Sequence, residues 1–286
     1  MRPLLLPALA LAALAGCSRG PAAPDAAAAM HDAHAHDAPV ATGAVAGVDT
    51  TRTEAREVTY ATLDGRPVRG YLARPLDAGP EGALPGLVVV HEWWGLNDNV
   101  RLMTRRLAAQ GYVALAVDLY DGGVAATPDE AQALMQRSTE RAEPLMRTLD
   151  EAITHLRVVQ GAPRVGVVGW CFGGGWALRT ALALPEQVDA AVMYYGRVVT
   201  DPRTLTSLDA PLLGLFGGAD ASIPVADVRA MEAVLREQGN DVEVHVYDGA
   251  GHGFANPSGR GYDAAAAEDA WRRTTAFLAG HLKGGG

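Results

Sequence analysis

Cysteine is nearly absent from this chain, with two in 286 residues, Cys17 and Cys171. A disulfide framework is therefore excluded, and the fold has to rest on a packed core. Aromatic residues are few, at 6%. Positive charge is outweighed, 24 Lys and Arg against 33 Asp and Glu, for a formal net charge of -9. With no basic stripe visible, the composition argues against nucleic acid as a partner: phosphate binding needs clustered cations. The apolar run from Leu4 to Ala15 is shorter than the ~20 residues that span a bilayer. No serine sits in a G-x-S-x-G, so the usual serine elbow of a hydrolase is missing as well.

Hydrophobic residues make up 49% of the chain, enough for one domain of roughly 200–250 residues. The positive start at Arg2 and the short apolar run read as a secretory signal over residues 1–16. Leu14-Ala15-Gly16-Cys17 resembles the lipobox of bacterial lipoproteins, in which the cysteine is acylated and becomes the new N-terminus. The expectation is export across the inner membrane and anchoring of Cys17 to a bacterial membrane, on the periplasmic or cell-surface side. Residues 17–53 are rich in Ala, Pro, Asp and Gly and bury too little to order themselves, so they read as a flexible tether. The tract His31-Asp32-Ala33-His34-Ala35-His36-Asp37 inside it reads as polar linker, with metal binding the weaker alternative. The folded domain is expected over 54–283.

Val58–Leu63, Asp64-Gly65 and Pro67–Ala73 predict a hairpin closed by a tight turn. The continuous apolar run through Gly86–His91 predicts a strand buried on both faces. Further strands are predicted at Tyr112–Val117, Val165–Gly169, Ala190–Tyr195, Leu212–Phe216 and Val242–Tyr247. Helices are predicted at Asn99–Gln110, over 128–159 as one or two pieces, at Gly174–Ala183, at Val225–Gln238 and from Tyr262 to Leu282. Eight strands alternating with helices imply an α/β fold with a mostly parallel sheet covered on both faces. Chemistry on such sheets gathers at the carboxyl ends of the strands.

At one such end lies Gly169-Trp170-Cys171-Phe172-Gly173, a G-x-C-x-G between strand and helix. The bend is tight enough to require glycine on both sides, and it lifts Cys171 clear at a helix N-terminus, where thiolate is favoured. The amide of Phe172 would face a developing oxyanion. Two later strands end in Gly217-Gly218-Ala219-Asp220 and Asp248-Gly249-Ala250-Gly251-His252. Asp220 and His252 thus follow the nucleophile in the order of an α/β-hydrolase triad. Asp248 competes as the acid but lies only four residues before His252.

The elbow, this order, His91-Glu92-Trp93-Trp94-Gly95-Leu96-Asn97 and Gly251-His252-Gly253-Phe254-Ala255 together resemble the dienelactone hydrolase (carboxymethylenebutenolidase) family over about residues 56–283. The resemblance implies that Glu92 gates the Cys171 thiol and that the Trp93 amide is a second oxyanion donor. It also marks two departures. The family's substrate-carboxylate arginines are replaced here by Asp121-Gly122-Gly123 and by Asn256, leaving Arg197 or Arg260 as candidates to stand in. The pocket is expected to be aromatic instead, from Trp94, Tyr120 and Phe254, with Trp93 and Tyr194 nearby. The activity expected is hydrolysis of a small-molecule carboxylic ester or lactone through a Cys-His-Asp triad and a thioester, with no cofactor or metal, by a monomer. The rival readings are a non-catalytic surface lipoprotein on a hydrolase scaffold and a thiol redox protein, the latter weakened by the lack of a resolving cysteine.

Overall fold

A computed structural model describes residues 31, 34, 35, 49–77 and 84–284. The expected signal segment 1–16, the expected lipidation site Cys17 and most of the expected tether, His36 included, lie outside the described residues. Among the described residues no helix is long and apolar enough to cross a membrane.

Strand β1 (Thr53–Leu63) and strand β2 (Arg66–Pro75) form the predicted hairpin. Asp64 and Gly65 both take positive φ, 51° and 76°, as a two-residue turn matched to strand twist requires. The apolar runs become β3 (Gly86–Val90), β4 (Val113–Val117), β5 (Val165–Trp170), β6 (Ala190–Tyr194) and β7 (Leu212–Gly217), every residue of which is buried. Strand β8 (Val242–Tyr247) closes the far edge and is only half-buried. The eight strands lie in the order β1-β2-β4-β3-β5-β6-β7-β8. Strand β2 runs antiparallel to both its neighbours, and every pairing from β4 to β8 is parallel.

Seven helices cover the sheet among the described residues: α1 (Asp98–Ala109), α2 (Pro128–Thr139), α3 (Ala142–Thr154), α4 (Phe172–Ala183), the short α5 (Pro202–Leu205), α6 (Val225–Glu237) and α7 (Ala264–Leu278). The stretch 128–159 is two helices. The first is capped by Thr127, whose side chain accepts from the Glu130 amide. The second continues from α3 into a wider turn over His155–Val159. Leu145, Leu149, Ile153 and Leu156 form the buried side of this stretch, whereas Leu134 is only partly buried. Alternate residues of the central strands feed two cores. Val88, Val90, Leu115 and Val167 pack with α3, α4 and α6, while Leu87, Val89, Ala114 and Val168 pack with α1 and α7. The short α5 has no signal in the hydrophobic periodicity, being a single turn capped by Asp201.

The chain order reverses at β3, which pairs with β4 on one side and β5 on the other. That switch point sets the carboxyl ends of β3 and β5 side by side, opening the crevice where such sheets bind ligands. In register, Val90 faces Gly169 and Trp170 faces Tyr194. Glu92, Cys171 and Tyr195 are thereby delivered to one edge.

Candidate active site

Cys171 sits at φ 55° and ψ -117°, a left-handed conformation that L residues avoid. The surrounding backbone leaves it no alternative. Its amide donates to the Tyr194 carbonyl at 3.0 Å, and its carbonyl accepts from the Gly175 amide at 3.2 Å. A Cβ at Gly169 would collide with the Gly173 carbonyl, and one at Gly173 with the Val90 and His91 carbonyls. Both glycines of the elbow are therefore demanded by backbone lying against backbone. Helix α4 begins at Phe172, two residues earlier than periodicity indicates, because the glycines that look like loop form its first turn.

Asp220 and His252 come from loops after β7 and β8 that are stitched together. The Gly218 amide donates to the Tyr247 carbonyl at 2.8 Å, and the Ala219 amide to the Ala250 carbonyl at 2.9 Å. One oxygen of Asp220, Oδ1, accepts from the amides of Ser222 (2.7 Å) and Ile223 (3.1 Å). The other, Oδ2, lies 2.7 Å from His252 Nδ1. Both side chains are 1% exposed. With Nδ1 donating to the carboxylate, Nε2 is the nitrogen left to accept a proton, and it has no hydrogen-bond partner among the described residues. Cys171 Sγ and a ring nitrogen of His252 lie within 4.8 Å of each other. The competing acid Asp248 is not the partner of His252.

Cys171 is 2% exposed. Burial pushes its thiol above the usual range, and the nearby Glu92 carboxylate pushes the same way; a contact with His34 and the Phe172 amide pull it down. Glu92 itself is 9% exposed and is held from two sides. Asn256 Nδ2 donates to Oε2 at 2.6 Å, and the Tyr195 hydroxyl donates to Oε1 at 3.3 Å. Asn256 is in turn fixed through its Oδ1, which accepts from the Ser258 amide and hydroxyl at 2.9 and 2.7 Å. Asn256 and Tyr195 are site residues that sequence reasoning missed as such. Asn256 stood out only as a missing arginine, and Tyr195 only as a strand end. Burial lowers the pKa of His91, beside Glu92, and its ring ties two strand ends together, with Nδ1 on the Glu92 carbonyl at 2.5 Å and Nε2 accepting from the Leu119 amide at 3.2 Å.

A cavity of about 360 Å³ reaches Cys171. Its walls are Met135, Phe172, Trp176 and Ile223, with Arg179 and Arg197 among its polar lining. Burial and the adjacent Arg197 charge lower the Arg179 pKa, which marks two cations set close together. Of the two expected stand-ins, Arg197 lines this cavity and Arg260 does not. The expected aromatic walls lie elsewhere. Trp94 is 1% exposed and packs on Trp93, Tyr120 meets His91 edge-on and Phe172 at a tilt, and Phe254 is fully buried among Tyr194, Tyr195 and Tyr247. All three follow strands at the correct edge, but their rings turn inward to complete the core rather than outward to line the cavity.

His34, read from sequence as part of a polar linker, is 2% exposed and lies over the dyad. Its ring centroid is 5.0 Å from that of Trp93 and 5.3 Å from that of His252.

Comparisons with known proteins agree on what this architecture is similar to. The sequence profile described as "Dienelactone hydrolase family" matches residues 68–282. A protein of Saccharolobus solfataricus named "Putative carboxymethylenebutenolidase" is 31% identical over 259 residues, covering 78% of this chain and 97% of its own. A crystal structure titled "Putative Dienelactone Hydrolase" from Klebsiella pneumoniae superposes with a TM-score of 0.70 at 31% identity, covering 79% of this chain and 98% of that one. A propionate-bound esterase from Thermogutta terrifontis, at 21% identity and a TM-score of 0.62 over 83% of this chain and 98% of that one, shares the fold.

Proposed function

Since the chain belongs to the dienelactone hydrolase family and is a hydrolase of the carboxylic-ester type, we propose that it cleaves small esters or lactones through a Cys171-His252-Asp220 triad and a thioester. The observation that carries this reading is the buried 2.7 Å contact of His252 Nδ1 with Asp220, which leaves Nε2 for the thiol. As Sγ attacks the carbonyl carbon, its proton passes to Nε2. The oxyanion is met by the Phe172 amide at the start of α4 and by the Trp93 amide in the loop after β3. Collapse expels the alkoxide, which takes the proton from His252, and the acyl group stays on sulfur. Water, deprotonated by His252, then releases the acid and restores the thiol. A thiolate is a better leaving group than an alkoxide or amide anion, so activated esters and enol lactones suit the site better than peptides.

Glu92 acts on the resting state. Its carboxylate opposes ionisation of Cys171 while Asn256 and Tyr195 hold it in place. A substrate that displaces it would free the thiolate at the moment of binding.

Arg179 and Arg197 at the cavity give the substrate a polarity. A panel of matched esters and lactones, neutral or bearing a carboxylate, tests both the activity and this preference. The acidic member of each pair is expected to have the lower KM. Arg197→Ala should raise that KM by roughly fivefold, the worth of an exposed ion pair of about 1 kcal/mol, while the neutral member is unaffected. Equal losses on both members would place Arg197 outside substrate recognition.

The N-terminal sequence also supports a proposal for where the enzyme works. The Leu4–Ala15 run ending at Gly16-Cys17 supports export and acylation of Cys17. Mass spectrometry of the membrane fraction from a bacterial host should find a diacylglyceryl Cys17 at the mature N-terminus. A soluble chain with an unmodified Cys17 would contradict it.

A further inference from the structure

We propose that His34, Cys171 and His252 form a binding site for a zinc-class divalent cation, which pins the N-terminal histidine tract onto the active site and silences it. The three side chains are buried, and each presents a donor atom within 4.8 Å of the other two. A tetrahedral zinc ion with Zn–S near 2.3 Å and Zn–N near 2.0–2.1 Å would draw them to roughly 3.4–3.6 Å, a closure that side-chain rotation can supply. One thiolate and two imidazoles form a borderline-soft set that selects zinc or cobalt over magnesium or calcium.

Three features beyond proximity support the site. His252 is already in the tautomer a metal requires, because Asp220 holds Nδ1 and leaves the Nε2 lone pair, the carboxylate–histidine arrangement that orients metal-bound imidazoles. His34 is seated on Trp93 and Trp94, with ring centroids 5.0 and 6.2 Å away. Three residues earlier, His31 Nε2 contacts Asp129 Oδ1 at 3.0 Å, a second point of attachment on α2.

Binding would form one M–S and two M–N bonds, release the Cys171 proton to solvent and leave a fourth position for water. The same bonds consume the sulfur lone pair and the Nε2 lone pair that hydrolysis uses. That inhibitory consequence rests on the hydrolytic reading; the site itself does not.

The test uses the full chain carrying no added histidines, with cobalt as a spectroscopic probe. Titration should raise a thiolate-to-cobalt charge-transfer band in the near ultraviolet and visible bands of tetrahedral intensity, all removed by zinc. Zinc should inhibit ester hydrolysis over the range in which it displaces cobalt. Cys171→Ala should lose the charge-transfer band. His34→Ala should weaken cobalt binding more than about tenfold, and His34→Cys should restore it. No charge-transfer band in the parent, or equal cobalt affinity in the parent and His34→Ala, would overturn the three-ligand site. If instead Cys171→Ala hydrolyses esters as the parent does while the parent shows the band, the hydrolytic assignment falls and the metal site stands.

Discussion

Cys171→Ala is expected to lower kcat/KM toward p-nitrophenyl acetate by more than about 10⁴-fold, leaving only what oxyanion donors and binding contribute without a nucleophile. The size of the loss follows from the site's construction. Cys171 is the sole thiol in the folded domain, and no G-x-S-x-G exists to supply a hydroxyl in its place. Alanine tolerates the positive φ at 171 no worse than cysteine, so the fold should be retained and near-parental melting would confirm it. Full activity in the alanine variant would reassign the chemistry to another residue.

Asp220→Asn should lower kcat by roughly 10³–10⁴-fold with little change in KM. Here the geometry dictates the mechanism of failure. The Ser222 and Ile223 amides both point at Oδ1, so the amide oxygen of an asparagine must take that place. Its NH₂ then faces His252 Nδ1, which must become the acceptor. The ring proton moves to Nε2, where it meets the thiol with no lone pair to offer. Rising pH should recover part of the loss, because a thiol already pushed upward by burial ionises to solvent only under alkaline conditions. A merely structural role for Asp220 would instead lower stability and leave the pH profile unchanged in shape.

The geometry behind these two predictions is legible in the sequence because it belongs to the backbone. Gly169 is imposed by the start of α4 folding back against it and Gly173 by the end of β3, and the order of Cys171, Asp220 and His252 follows the strand order. The five central strands could be read for the same reason, as runs buried on both faces, and the β1–β2 hairpin from its Asp64-Gly65 turn. What could not be read depends on where side chains turn. Trp94, Tyr120 and Phe254 share an edge with Cys171, Asp220 and His252, yet core packing captures their rings. The cavity takes its walls from α2, α4 and the loop after Asp220, elements far apart in sequence. Asn256 and Tyr195 reach Glu92 through tertiary contact alone. His34 stands in a tract with no hydrophobic periodicity, and only the assembled edge gives it something to pack on.

Glu92 and Asn256 together suggest how an exposed cavity and a protected thiol coexist. A resting thiol held neutral resists oxidation and alkylation better than a standing thiolate does. Such protection is useful to an enzyme proposed to work outside the reducing cytoplasm.

The covalent step is the core of the account, and rapid quenching reads it directly. The parent enzyme mixed with p-nitrophenyl acetate, acid-quenched within the first turnovers and digested, should carry an acetyl group on the peptide containing Cys171, removable by hydroxylamine. Continued turnover with that peptide unmodified, or with the acetyl group on another side chain, would contradict the thioester mechanism.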